Sequence, residues 1–290
     1  MEHVSRSTKP VPPQRPPASA VDRPQTGAAA SSPEPLEAAS AARGTSASST
    51  WSGGLLRTDR PADRLSGLAR ALFGDAVLQH VAGRRVLDLG HGSPEIAQWV
   101  RPIAASLDTV DLRLCTTEDG EIRLPQADAR YDVVYSLRTL AHLGHDEVSS
   151  DLGVRSLLAE AARVTVPGGV VLVDINNPHS LRGLFYGIRR PITLVAAGKV
   201  VHADAGHHVT RHDTLARLLR VAPPVLDTIA VYGVRVLIPL GRVLKIPVLG
   251  RILAACEWWA RDSFLRGFGA HLLVVLRKDD DADRAVPPGK

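Results

Sequence analysis

Sulfur is nearly missing from this chain, which has two cysteines, Cys115 and Cys256, and one methionine in 290 residues. Two cysteines supply neither a disulfide framework nor a four-thiolate zinc site, and such sparse usage is that of a reducing compartment. Long hydrophobic runs are lacking as well. No stretch approaches the ~18 apolar residues of a spanning helix, and the opening MEHVSRSTKPVPPQRPP lacks the apolar core of a secretory signal. The expectation is a soluble, cytoplasmic protein. Aromatic residues make up only 4%, and no aromatic-rich RNA-binding motif accompanies the net charge of +5, so nucleic acid is not expected as a partner.

Apolar side chains, 44% of the total, suffice for one good-sized domain. They are unevenly spread. Residues 1–50 contain no Phe, Tyr, Trp or Ile, a single leucine (Leu36) and eight prolines, too little apolar surface to offset the entropy of ordering. Residues 1–52 are therefore predicted to be a disordered leader, and the acidic end, 279–290, a disordered tail. The domain between them spans 53–278. Charge is segregated too: 182–278 holds fifteen basic and five acidic residues, a bias suited to anionic substrates or lipid headgroups, or to a merely solvated surface.

Within the domain, VLDLG (86–90), LDTVDL (107–112), YDVVYSL (131–137) and GVVLVDI (169–175) are short and apolar on both alternations, as in strands covered on both faces. Helix-like segments lie at 64–81, 93–107 and 154–166. Strands alternating with helices predict a doubly wound, mostly parallel α/β sheet. A further helix at 211–222 precedes strand-like VLDTIAVYG (225–233) and AHLLVVLRK (270–278). Thr210 is the expected N-cap of that helix, with Asp213 in a capping box.

Ligands of such sheets sit at the carboxyl ends of the strands, beginning with the first strand-to-helix turn. Here that turn reads Asp88-Leu89-Gly90-His91-Gly92-Ser93-Pro94. Two glycines permit a tight turn and close backbone approach. A dinucleotide loop would place a third glycine where Glu95 stands, which argues against NAD. VLDLGHGSPEIA instead resembles the first motif of the class I S-adenosylmethionine-dependent methyltransferases, small-molecule type, in which an acidic residue precedes Gly-x-Gly. Further stretches match that family in order. Asp111, 23 residues after Asp88, stands where the family keeps an acidic residue for the ribose hydroxyls; a carboxylate suits this because it only accepts hydrogen bonds. IRLPQADARYDVVYSLRTLAHL (122–143) and LLAEAARVTVPGGVVLVDIN (157–176) resemble the segments that follow.

The resemblance implies a Rossmann-like sheet, mostly parallel with an antiparallel last strand, and a helical lid from insertions at about 180–212 and 232–268. It implies S-adenosylmethionine as cofactor, held by Asp88, Gly90, His91, Gly92 and Asp111. Only 20 residues separate Asp111 from Tyr131, too few for a full crossover helix and another strand. The second crossover is thus predicted to be truncated, which leaves Asp119, Gly120 and Glu121 competing for the adenine contact; Glu121 is the choice. His142 matches a family histidine and is the candidate catalytic base. Asn176, Asn177 and His179, beyond a strand end, are the candidate acceptor contacts. The function implied is methyl transfer to a small, hydrophobic molecule such as a natural product, a quinone-like compound or a lipid precursor. A silent module that keeps the fold but only binds or docks is the alternative.

Two other segments invite readings. His202, Asp204, His207, His208 and His212 are metal-ligand types at close spacing, yet they also read as a polar, substrate-facing loop, and no metal is expected. Residues 232–268 are apolar, studded with Arg and Lys, and carry Trp258 and Trp259. They read either as short helices capping the mouth of the site or as a surface for peripheral membrane contact.

Overall fold

The computed structural model describes residues 61–90, 94–181, 201–203, 209–238, 244 and 246–280. The first helix, α1 (Pro61–Val81), opens on a proline, which suits a first helical turn. It buries Leu68, Leu72, Phe73, Ala76 and Val77 along one side. Strand β1 (Arg85–Leu89) follows, then α2 (Pro94–Val100) and β2 (Ser106–Val110). Helix α2 stops well short of the predicted 107. Pro102 is the reason, since a proline pushes the residue before it out of helical conformation.

Strand β3 (Tyr131–Ser136) leads through a 3-10 turn, Leu140–His142, to α3 (Glu147–Val164). Asp146 caps α3, accepting the Ser149 amide at 2.7 Å while the Ser149 hydroxyl returns to Asp146. Strand β4 (Thr165–Asn176) starts earlier than predicted. The Pro-Gly-Gly run, 167–169, lies inside it as an irregularity: the pairing with β3 shifts there and Gly168 takes φ +70°. A two-stranded hairpin follows, β5 (Val201–Ala203) with β6 (Val209–Arg211). Then come α4 (Leu215–Val221), β7 (Leu226–Val234), α5 (Pro247–Asp262), a 3-10 turn at Phe264–Phe268 and β8 (His271–Lys278). The cap of α4 is Thr214, which accepts the Arg217 amide at 3.2 Å. Thr210, the predicted cap, belongs to β6, and Asp213 is taken up by Arg211.

The main sheet has the order β2-β1-β3-β4-β8-β7. All neighbours among β1–β4 pair in parallel, and β8 runs antiparallel to both β4 and β7. The predicted doubly wound sheet with an antiparallel last strand is therefore what forms. Helices cover both faces. Val171, Val173, Val274 and Leu276 pack against Leu157, Leu158 and Ala161 of α3. Val170, Leu172, Val133 and Val275 pack against α1, α2 and Ala254 of α5.

Between Val110 and Tyr131 the chain makes only a 3-10 turn at Leu112–Leu114 and an isolated bridge, Thr116 to Ile122. No strand of the main sheet forms there, as the short spacing predicts, and β2 is left as the sheet's edge. The leader and most of the tail lie outside the described residues, as do 182–200, 204–208 and 239–243 of the expected lid.

Candidate active site at the strand ends

Three strand ends meet at Gly90. Its N–H donates to the Val110 carbonyl at the end of β2, at 2.9 Å. Its φ of +106° is open only to glycine, and a Cβ there would lie 2.7 Å from Thr139 Oγ1. The hydroxyls of Ser136 and Thr139 both donate to the Leu89 carbonyl, at 3.0 and 3.4 Å, tying the end of β3 to the same turn. His91 and Gly92 lie outside the described residues.

Asp111 follows β2 directly, so the predicted ribose carboxylate and the glycine turn are neighbours. One Asp111 oxygen accepts the Arg113 amide at 3.0 Å and its Nε at 3.1 Å; the other accepts Nη2 at 2.9 Å. The Arg113 side chain is 80% exposed, and exposed ion pairs of this kind hold weakly. Chemically the carboxylate fits a vicinal diol.

Asp88 lies between Leu87 and Leu89, which face α3, so it points to the other side of the sheet. Burial raises its carboxyl from 3.8 to about 7, against a smaller opposing effect of the Tyr135 hydroxyl. Tyr135 is the register neighbour of Asp88 on β3. Its hydroxyl is buried and leans on Asp88 without closing a well-formed hydrogen bond. Asp174 occupies the same face of β4. Burial raises it to about 6, although the Arg138 amide, held at φ +56°, donates to it. His271 Nδ1 lies 3.9 Å from Asp174, and the Phe73 ring stands edge-on to the imidazole.

Tyr135, Asp174 and His271 were not among the predicted site residues. A sequence signal existed for one of them: Asp174 is the sole charge in VVLVDI, and a carboxylate inside a buried strand is costly unless it is hydrogen-bonded.

The remaining predicted residues are dispersed. His142, exposed, ends a 3-10 turn whose Leu140 and Ala141 are buried. Asn176 donates to the Arg211 carbonyl at 3.3 Å, and its own carbonyl accepts the Asp213 amide. Asn177 is buried and works within the fold: its amide donates to the Gly267 and Gly269 carbonyls at 2.7 and 2.9 Å, and its oxygen accepts the His179 N–H. His179 itself is exposed. Glu121 meets Arg123 at 3.1 Å and lines a groove of about 420 Å³ against Ser156, Glu160 and Arg163 of α3.

Arg211 is buried between Asp213 at 2.5 Å and Asp151 at 2.6 Å, with Arg217 joining both carboxylates. This network fastens β6 and the start of α4 to α3. Of the five residues read as metal-ligand types, His207, His208 and Asp204 lie outside the described residues. Among the described residues no cluster could hold a metal ion.

No protein-family model and no curated protein matches the chain. Solved structures do. An S-adenosylmethionine-dependent methyltransferase from Mesorhizobium loti is 17% identical, covering 74% of this chain and 100% of its own, with a TM-score of 0.42. The CcbJ methyltransferase from Streptomyces caelestis is 16% identical over 73% of this chain and 89% of its own, TM-score 0.40. The geranyl diphosphate C-methyltransferase of Streptomyces coelicolor is 14% identical over 78% and 88%, TM-score 0.42. The likeness is one of fold alone. The sheet itself has the make-up that the sequence resemblance implies, parallel strands and an antiparallel last one.

Proposed function

We propose that this chain is an S-adenosylmethionine-dependent methyltransferase acting on a small, hydrophobic acceptor. The observation that carries this reading is the hydrogen bond from Gly90 to Val110, which sets a glycine turn beside the Asp111 carboxylate at the carboxyl edge of a doubly wound sheet. Gly90, with His91 and Gly92, would receive the cofactor's amino-acid and sulfonium portion; Asp111 would accept both ribose hydroxyls once Arg113 swings toward solvent. Asp88 would steady the turn from beneath. Glu121 is assigned to the adenine end. When bound, the cofactor supplies an electrophilic methyl group.

The chain's own task is then to orient an acceptor in line and exclude water, worth several powers of ten in rate when the geometry is right. Asn176 and His179 are assigned to the acceptor. His142 would take a proton from an acceptor hydroxyl or amine, as a general base.

Titration calorimetry of Asp111→Ala with S-adenosylmethionine tests the reading. Hydrogen bonds to a charged group are worth about 1.5–3 kcal/mol, so affinity should fall by roughly 10- to 150-fold. Unchanged affinity removes Asp111 from the site. A second reading, a silent module with this fold, is favoured by the absent strand next to β2; failure of the wild-type chain to bind the cofactor at all would select it.

A further inference from the structure

Helix α5 is apolar on both sides: Ala254 and Ala260 are buried, Leu253 and Trp258 pack on the core, and Glu257 and Arg261 lie on that same buried side. Its buried side carries the charges: Glu257 accepts the amides of Val236 and Leu237, the latter at 2.9 Å. Arg261 reaches Asp75 of α1 at 2.6 Å and the Leu72 carbonyl at 3.3 Å. The guanidinium also lies 5.1 Å from the centres of the Tyr232 and Trp258 rings. These polar anchors fix the helix's rotation, and a second apolar stripe is left outward. Val248 is 70% exposed, Ile252 54% and Trp259 61%. Their spacing of four and seven residues puts them on one stripe. In the turn that follows, Phe264 is 83% exposed and stands edge-on to Trp259, ring centres 6.5 Å apart, with Phe268 beyond it.

We propose that this face, Val248 to Phe268, docks on an anionic phospholipid bilayer. Charge selects the occupant. The cations beside the stripe are Arg251 and Arg266, both exposed and neither joined to a carboxylate among the described residues. The exposed carboxylate of the helix, Asp262, is already held by Arg261 at 3.1 Å. Two copies of this face brought together would add arginines to arginines, while Asp262, the exposed carboxylate among the described residues of the face, is already engaged by Arg261. A sheet of anionic headgroups answers both, while the stripe enters the acyl boundary and the indole of Trp259 sits at the level where one end is wet. The face is the outer side of a helix rather than a cleft, so it suits a broad surface better than a single small molecule. The inference stands apart from the methyl-transfer reading, because docking needs no cofactor.

Co-sedimentation of the full chain with vesicles of 70% phosphatidylcholine and 30% phosphatidylserine, without cofactor, tests it. Binding is expected to these vesicles and to fall by at least tenfold on pure phosphatidylcholine or in 0.5 M salt. Trp259→Ser with Phe264→Ser should lower the partition coefficient at least tenfold. Arg251→Gln and Arg266→Gln should each lower it roughly fivefold, since a basic residue near such a surface contributes about 1 kcal/mol. All four are surface changes, and an unaltered thermal midpoint shows that each variant is folded. No binding of the wild type, or equal binding of the double serine variant, overturns the proposal. So does a concentration-dependent dimer in sedimentation equilibrium that the serine variant abolishes while vesicles capture neither protein.

Discussion

Replacing Asp88 with asparagine should make the protein more stable, and increasingly so as the pH rises. The carboxyl sits in the sheet with a folded pKa of about 7 against 3.8 when solvated. Because the folded value is the higher one, the native state holds the proton more tightly between those two values. The stability from this group is complete below about 3.8 and drains away as the pH climbs through 7. At about 1.36 kcal/mol per pH unit the full loss is about 4 kcal/mol, of which about 2.5 kcal/mol falls between pH 5 and pH 8. Asparagine keeps the shape and cannot ionise. Urea denaturation of both proteins, followed by far-UV circular dichroism from pH 5 to pH 8, should show the advantage of Asp88→Asn growing by that amount. In a domain of this size it corresponds to about 5–10 °C in Tm. Titrations shared by both proteins, including Asp174, cancel in the difference. A difference that stays flat across the range would refute the placement of a buried, ionising carboxyl at Asp88. If Asp88 steadies the glycine turn, the same variant should also bind S-adenosylmethionine more weakly, exchanging affinity for stability.

Arg211→Ala leaves Asp213, 2% exposed, with Arg217 at 3.5 Å as its cation among the described residues; stripping one partner from a buried pair should cost about 3–5 kcal/mol in urea denaturation. Glu257→Ala uncaps two amides beneath α5 and should cost about 2–5 kcal/mol, whereas Glu257→Gln, which keeps an acceptor, should lose less. Burial holds the Glu257 carboxyl above its ordinary range, so its contribution also declines as pH rises, and the Glu257→Gln deficit should shrink as the pH is raised. Tyr135→Phe removes a hydroxyl with no well-formed hydrogen bond and should change stability by less than about 1 kcal/mol, while the pH-dependent component assigned to Asp88 moves to higher pH.

Strands were legible wherever both alternations are apolar, because burial on two faces leaves little room for anything else; β1, β3 and β8 differ from their predicted bounds by a residue or so. The missing crossover strand was legible from chain length alone. Helix α2 overran its true end because its apolar rhythm continues past a proline that the backbone cannot follow. The polar row of Asp88, Tyr135, Asp174 and His271 was not visible as a group, since it joins four strands whose facing depends on register. Arg211 and Glu257 read as solvated charges, and only tertiary partners reveal why each is buried. For α5 the apolar and basic composition of 232–268 left two readings, a cap over the site or a membrane-facing surface, and the buried contacts of Glu257 and Arg261, which the pattern does not show, fix which side chains face outward.

The position of β8 bears on how the molecule can be assembled. The last of the described strands is an interior plank of the sheet, and β7 touches the other described strands of the sheet only through it. A nascent chain therefore carries β4 with a bare edge, and β7 adrift, until residues near Lys278 have left the ribosome. Lys278 then buries its ammonium against the Thr165 carbonyl at 3.0 Å, the far end of β4. Completion of this domain waits on the translation of β8, and a stop codon anywhere in that strand would leave two aggregation-prone edges instead of a shortened but sound protein.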